Sequence, residues 1–183
     1  MSDTKFGEIF EMLIRAYKHV ENLGGQFFAR VIIHSNKVVS VNVDYEHIPD
    51  KRSYPNRQSG GFGVSVPRTE LERLRRELEW MLDHFFGPEW RESEWTEKNT
   101  DEIIEILLRA QKYVESRVGY LKAVITICRQ TVDIQVEVTM KRKRRLKTQR
   151  FGVSKWISKF GDLPEDLEMM LDIHIGSGWR GEE

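Results

Sequence analysis

Hydrophobic residues recur along the chain with two different periods. Between residues 4 and 22 the apolar positions return every three or four residues, which predicts an amphipathic helix that ends at Gly24. Residues 26–34 and 39–46 instead alternate between two sets of side chains, which predicts two strands. Because one face of the second strand is wholly polar, these strands are expected to belong to an antiparallel sheet with one solvated side.

A third strand and a second helix complete this pattern. Residues 47–61 contain two prolines and two glycines, which predicts a long loop, and residues 62–66 then form a short strand. Ser65 and Thr69 are candidate N-caps for a helix that ends at Gly87. The order of elements is helix, strand, strand, strand, helix.

The chain then repeats itself. EIFEMLIRAYKHVE at 8–21 returns as EIIEILLRAQKYVE at 102–115, with nine identical residues at an offset of 94. FGVS at 62–65 returns at 151–154, and LEWMLDHFFG at 78–87 returns as LEMMLDIHIG, both at an offset of 89. Such self-similarity predicts two copies of one supersecondary unit.

We therefore predict an α+β fold built from an internally duplicated α-β-β-β-α unit. Its mostly antiparallel sheet would carry the helices packed on one face, in two layers. The first repeat covers 1–88, a linker 89–99, the second repeat 100–177 and a tail, expected to be frayed, 178–183. Within the second repeat we predict helices at 100–117 and 163–176, strands at 119–128, 131–139 and 151–154, and a second long loop at 140–150.

Composition narrows the function classes. The 183 residues include 29 Lys and Arg against 29 Asp and Glu, so the net charge creates no global field for a polyanion. The only cysteine, Cys128, excludes an intramolecular disulfide. No apolar run approaches the length of a membrane span, and no signal peptide is evident, so we predict a cytoplasmic protein without a membrane partner.

The sharpest local feature is the predicted loop KRKRRLKTQR at 141–150, which holds seven basic residues and no acid. The corresponding loop of the first repeat is more weakly basic. Clustered cations bind phosphate backbones through charge and counterion release; a solvated loop whose lysines keep a strand edge soluble is the alternative. The candidate residues for an anionic partner or nucleic acid are Lys51, Arg52, Arg57, Lys141, Arg142, Lys143, Arg144, Arg145, Lys147 and Arg150.

Five tryptophans suggest a second kind of surface. Trp90 and Trp95 lie in the polar linker, and Trp156 lies between two lysines, so all three are candidates for a protein interface. The alternative is that the linker folds back and buries its tryptophans. Trp80 is expected in the core.

Catalytic and metal-binding patterns are weak. His34 and Cys128 occupy equivalent repeat positions, as do Asp44 and Glu137, so a Cys–His nucleophile or a carboxylate pair is conceivable. We expect Asp44 and Glu137 instead to be solvated partners of neighbouring Arg and Lys. The five histidines show no metal-ligand spacing, and no phosphate-binding glycine motif is present. We predict neither an enzyme, nor a metal, nor a cofactor.

The element order resembles that of double-stranded RNA-binding domains and of chaperones of bacterial secretion effectors. The Gly-Pro-x-His loop of the former is replaced by residues 34–37, HSNK, so no family is assigned. We predict a non-catalytic binding protein that uses its basic loops to contact an anionic partner, with nucleic acid as the leading candidate. The alternative is a protein–protein interaction module, such as an inhibitor, an immunity or anti-defence factor, or a chaperone-like adaptor. A homo-oligomer is possible.

Overall fold

The computed structural model describes residues 4–35, 37–47, 58–95, 100–142 and 145–181. They form an α+β fold with four α-helices and six strands. The helices are α1 (Thr4–Asn22), α2 (Leu71–Phe86), α3 (Thr100–Ser116) and α4 (Leu163–Ile175). The strands are β1 (Gln26–Ile33), β2 (Val38–His47), β3 (Gln58–Pro67), β4 (Tyr120–Cys128), β5 (Thr131–Arg142) and β6 (Arg145–Trp156).

All six strands belong to one antiparallel sheet in the order β3-β2-β1-β4-β5-β6. The two halves of the chain therefore meet at the central pair, β1 and β4. At its midpoint Val31 lies opposite Ile125, which is the residue 94 positions later. Around this point the register is reciprocal, since Ala29 faces Ile127 and Ile33 faces Ala123.

The core follows from the alternation of the strands and the stripes of the helices. Every second residue of β1 and of β4 is buried, including Val31 and Ile125. These side chains form one cluster with the buried leucines of α2, such as Leu78, and with Leu167 and Leu171 of α4. A single core of this kind ties the two halves together, as expected for units too small to be independently stable.

The predicted long loop at 140–150 is wrong in the structure. β5 continues to Arg142 and β6 begins at Arg145, so the described residues of this segment are paired strands. Cross-strand contacts hold it: the Thr139 and Thr148 hydroxyls lie 2.8 Å apart, and Arg150 is 2.6 Å from Glu137. The predicted third strand is likewise too short, because β3 runs over ten residues.

Three further expectations are corrected. Trp80 is 64% exposed and stacks on His84, so it is not a core residue. Ser65 lies within β3 and Thr69 within a 3₁₀ turn, Arg68–Glu70, so α2 begins later than predicted and no side chain caps it. The tail is ordered in part: Ser177–Arg180 forms a 3₁₀ turn.

Candidate functional site

The basic residues at the end of β5 and the start of β6 form a two-stranded ribbon that projects from the sheet. The last residue pair between β4 and β5 is Tyr120 with Thr139. Beyond it β5 and β6 continue alone through three more pairs, Met140–Lys147, Lys141–Leu146 and Arg142–Arg145. At about 3.4 Å per residue, this ribbon extends roughly 10 Å beyond β4. We call residues 140–142 and 145–147 the basic ribbon.

The basic ribbon differs from the neighbouring part of the sheet in whether its cations form ion pairs. Lys141, Arg145 and Lys147 are exposed, and none of them forms an ion pair with any acid in the described part of the chain. Arg150, by contrast, is engaged by Glu137 at 2.6 Å. Arg142 is the last residue of β5 and belongs to the basic ribbon. The remaining candidates, Lys143, Arg144, Lys51, Arg52 and Arg57, lie outside the described residues.

The strands that flank the two basic segments end at opposite corners of the sheet. β2 ends beside Gln26, the first residue of β1, whereas β5 ends beyond the first residue of β4, at the far end of β1. β3 and β6 also form opposite edges of the sheet. The described ends of the β2–β3 pair and of the β5–β6 pair therefore lie at diagonally opposite corners of the sheet.

The candidate interface tryptophans separate into two groups. Trp90 is 3% exposed and Trp95 is 9% exposed, so both are part of the core. Trp95 packs edge-on against Phe160 at 5.3 Å, and Lys18 Nζ lies 5.1 Å from its ring. Trp156 remains 56% exposed at the end of β6. Of the three, only Trp156 is available to a partner.

Sequence reasoning missed a motif that occurs twice, each time after a helix. Trp90 Nε1 donates to Asp83 at 2.9 Å, and Trp179 Nε1 donates to Asp172 at the same distance. Arg91 and Arg180 complete the two sets, each 2.7 Å from its aspartate. Its signal is present in the sequence as Gly-x-x-Trp-Arg at 87–91 and 176–180.

Both motifs begin with a glycine in the left-handed region, Gly87 at φ 72° and Gly176 at φ 81°, which ends the helix and turns the chain back along it. Each glycine N–H donates to the carbonyl of the aspartate, at 3.0 Å for both Asp83 and Asp172. Hydrogen bonds from the Arg180 guanidinium hold the pKa of Asp172 below its ordinary value.

The conceivable catalytic pairs are not brought together. Continuing the β1–β4 register by one residue places His34 opposite Lys122 and Cys128 opposite Phe28, at opposite ends of the strand pair. Six residues of strand separate them, or about 20 Å. Burial, and then the charge of Lys122, lower the pKa of His34.

The carboxylate pair is separated in the same way, because Asp44 lies opposite Phe28, whereas Glu137 lies opposite Lys122. Asp44 faces Arg30 at 3.8 Å and Glu137 faces Arg150, so each carboxylate has an arginine neighbour. Within the described residues no group of His, Cys, Asp and Glu could hold a metal ion.

No helix in the described ranges is long and apolar enough to cross a membrane. No family model, curated protein or solved structure matches this chain.

Proposed function

We propose that this chain is an internally duplicated α-β-β-β-α protein with all helices on one face of the sheet, and that it acts as a non-catalytic binding protein. The reciprocal register around Val31 and Ile125 supports the duplication, because equivalent residues meet at the centre of the sheet. The matching contacts of Trp90 and Trp179 support it independently.

The anionic partner, with nucleic acid as the first candidate, binds at the basic ribbon. One observation carries this proposal: the ribbon projects beyond the sheet with exposed cations, Lys141, Arg145 and Lys147, that no described acid neutralises. A two-stranded ribbon fits the major groove of B-DNA, and free cations gain most from phosphate because they give up no existing ion pair. Leu146, 72% exposed at the ribbon, adds an apolar contact.

Salt-dependent binding tests this proposal. Affinities for random duplex DNA, single-stranded DNA and RNA are measured over a salt series for wild type and for the triple variant Lys141→Ser, Arg145→Ser, Lys147→Ser. Each lost phosphate contact on duplex DNA reduces the slope of log K against log salt by about 0.9, so the triple variant should lose about 2 to 3 units.

The matched control removes three exposed cations elsewhere, Arg76, Arg117 and Lys159, and so changes the net charge equally. Its salt slope should equal that of wild type. Absence of binding at low salt, or equal slopes for the triple variant and the control, would reject the proposal.

A second candidate function is self-association through β3, the opposite edge of the sheet. Between Gln58 and Pro67 this strand has no charged residue. Arg68 N donates to Lys37 O at 2.6 Å, so by the alternation of antiparallel pairing the backbone groups of Ser59, Gly61, Gly63 and Ser65 point away from β2. No described residue is hydrogen-bonded to those outward groups.

β6 is protected where β3 is not. Arg150 of β6 lies 89 residues after Gly61 of β3. Charged side chains on an edge strand disfavour its pairing with the edge of another sheet. The strand that fits β3 best is β3 of a second copy, because two uncharged edge strands can pair without charge repulsion. Pairing through β3 alone closes a dimer, whereas alternate pairing of β3 with β6 would extend without end.

Gly61→Arg tests the dimer by placing on β3 the charged side chain that β6 has at Arg150. A Cβ at Gly61 would lie 2.7 Å from the flexible Asp44 carboxylate, which can move and pair with the new guanidinium, as Glu137 pairs with Arg150. Sedimentation equilibrium should show a dimer for wild type and for the control Arg150→Gly, and a monomer for Gly61→Arg. A monomeric wild type, or a dimeric Gly61→Arg variant, would exclude this candidate.

A further inference from the structure

Three of the large apolar side chains that remain exposed lie at one corner of the sheet, beside the basic ribbon. Val118 is 86% exposed, Tyr120 is 36% exposed and Leu146 is 72% exposed. Tyr120 begins β4, Leu146 belongs to the basic ribbon, and Val118 lies in the turn between α3 and β4. We call these three residues the apolar corner. Large apolar side chains that are grouped in solvent mark a surface that contacts a partner.

Strand pairing places Tyr120 and Leu146 on the same side of the sheet. Tyr120 lies opposite Thr139, which lies opposite Thr148. Leu146 is two residues before Thr148 in β6. Because side chains alternate along a strand and the residue after Tyr120, Leu121, is fully buried, this row of side chains faces away from the core. Two strands and two residues separate Tyr120 from Leu146, or roughly 12 Å. The Thr139 and Thr148 hydroxyls, 2.8 Å apart, lie between them.

The backbone turns after α1 and α3 are alike, but their residues differ. Gly24 has φ 78° after α1, and Val118, 94 positions later, has φ 54° after α3. In both turns the next N–H group donates to a valine carbonyl at 2.9 Å. Left-handed backbone is unfavourable for a β-branched residue, whereas glycine adopts it freely. Val118 therefore gives up stability that Gly24 retains, and it gains nothing in the core because its side chain is exposed.

Tyr120 differs from its counterpart in the same direction. Gln26 lies 94 positions earlier and is exposed at the start of β1. At the corner beside the basic ribbon, a valine and a tyrosine thus occupy the positions of a glycine and a glutamine. These apolar side chains accompany the exposed cations Lys141, Arg145 and Lys147. The combination indicates a partner that carries both anionic groups and accessible apolar rings.

On the premise that the basic ribbon binds nucleic acid, we propose that its partner is single-stranded DNA or RNA, whose unpaired bases contact the apolar corner. The cations of the ribbon bind phosphates, the Tyr120 ring stacks on one base, and Val118 and Leu146 contact neighbouring bases. Base faces in a duplex are stacked on each other, so only unpaired bases offer a face to a tyrosine ring. The threonine hydroxyls between Tyr120 and Leu146 suit a strand, in which polar sugars and phosphates alternate with bases.

Fluorescence anisotropy of labelled oligonucleotides tests this preference on the full chain. The probes are one mixed-sequence strand as DNA and as RNA, the DNA duplex of that sequence, and an abasic strand of equal length that keeps the phosphates. Wild type should bind the single strands more tightly than the duplex or the abasic strand. Tyr120→Gln, which installs the residue of the first half, should weaken single-strand binding by about tenfold and leave abasic-strand binding unchanged, because one base stacked on an aromatic ring contributes a factor of this size. Tyr120→Phe keeps the ring and should bind like wild type.

Val118→Gly separates recognition from folding. It should raise the midpoint of thermal unfolding, because glycine relieves the left-handed backbone, and yet weaken single-strand binding. Leu146→Ser should also weaken single-strand binding. Trp156→Ala is the matched control, because it removes an exposed ring at the other end of β6 and should leave binding unchanged.

Undiminished single-strand binding by Tyr120→Gln and Leu146→Ser, or equal affinities of wild type for the single strands and the abasic strand, would overturn the preference for unpaired bases. The proposed function would still hold after that result if the triple serine variant reduces the salt slope. If no oligonucleotide binds, both are refuted. If Tyr120→Gln loses binding to vesicles of phosphatidylserine and phosphatidylcholine but not to oligonucleotides, the apolar corner contacts a membrane instead.

Discussion

Trp179→Ala is the substitution that most sharply tests the ordered end of the chain. Trp179 is 3% exposed, its indole N–H donates to Asp172 at 2.9 Å, and the Arg180 guanidinium lies 5.2 Å from its ring. If the tail were frayed, this substitution would leave the free energy of unfolding unchanged. In the structure it removes the largest side chain of the Ser177–Arg180 turn.

The expected cost follows from burial. Truncating a buried tryptophan to alanine removes about 3–5 kcal/mol of stability, a large share of the roughly 5–15 kcal/mol that holds a domain folded. Loss of the hydrogen bond to Asp172 is part of this sum, because Asp172 keeps its Arg180 partner at 2.7 Å. With a urea m-value of about 2 kcal/mol/M, the unfolding midpoint should fall by roughly 2 M.

Equilibrium unfolding in urea, followed by far-UV circular dichroism, measures this change. Trp156→Ala is the matched control, because Trp156 is 56% exposed and should cost less than about 1 kcal/mol. Trp90→Ala, at the equivalent position of the first half, should resemble Trp179→Ala. If Trp179→Ala is no more destabilising than Trp156→Ala, the argument for a buried second motif is refuted.

Three other substitutions test single contacts. Asp172→Asn should be less stable than wild type at neutral pH. Because the folded state lowers the pKa of Asp172, its carboxylate contributes to the free energy of unfolding at neutral pH and loses that contribution as pH falls through the lowered pKa, so the difference between the two proteins should shrink. Urea unfolding midpoints from about pH 5 down to pH 2 measure this difference. Tyr17→Phe removes the acceptor of the Gln130 backbone N–H at 2.7 Å and should cost about 1 kcal/mol in the same assay. Gly119→Ala would place a Cβ 2.8 Å from the Thr139 carbonyl oxygen and should lower stability by about 1–3 kcal/mol in thermal unfolding.

Periodicity predicted the helices and most strands because their apolar side chains are the buried ones. It failed for the basic ribbon, since a strand pair that projects beyond the core needs no apolar alternation, and KRKRRLKTQR has none. Backbone pairing and contacts such as that of Thr139 with Thr148 form this hairpin, and neither leaves a period in the sequence.

Other features were visible but were interpreted too narrowly. The repeated segment that was predicted for 167–176 ends at Gly176, although a Trp-Arg pair begins three residues after the terminal glycine of both helices. The exposure of Trp80 could not be predicted, because a tryptophan on an amphipathic helix shows its direction only when neighbouring elements are placed.

The peptide that follows α2 has a consequence for the proposed duplication. Two separate identical subunits related by a dyad would present the same surroundings to both of their first helices. If such units are joined head to tail, as we propose, the peptide that connects them needs a place to lie, and in this chain Arg15 and Lys18 of α1 bind its carbonyl groups at Arg91 and Glu94. The proposed fusion would by itself make the surroundings of α1 differ from those of α3, without any change in the order of the strands.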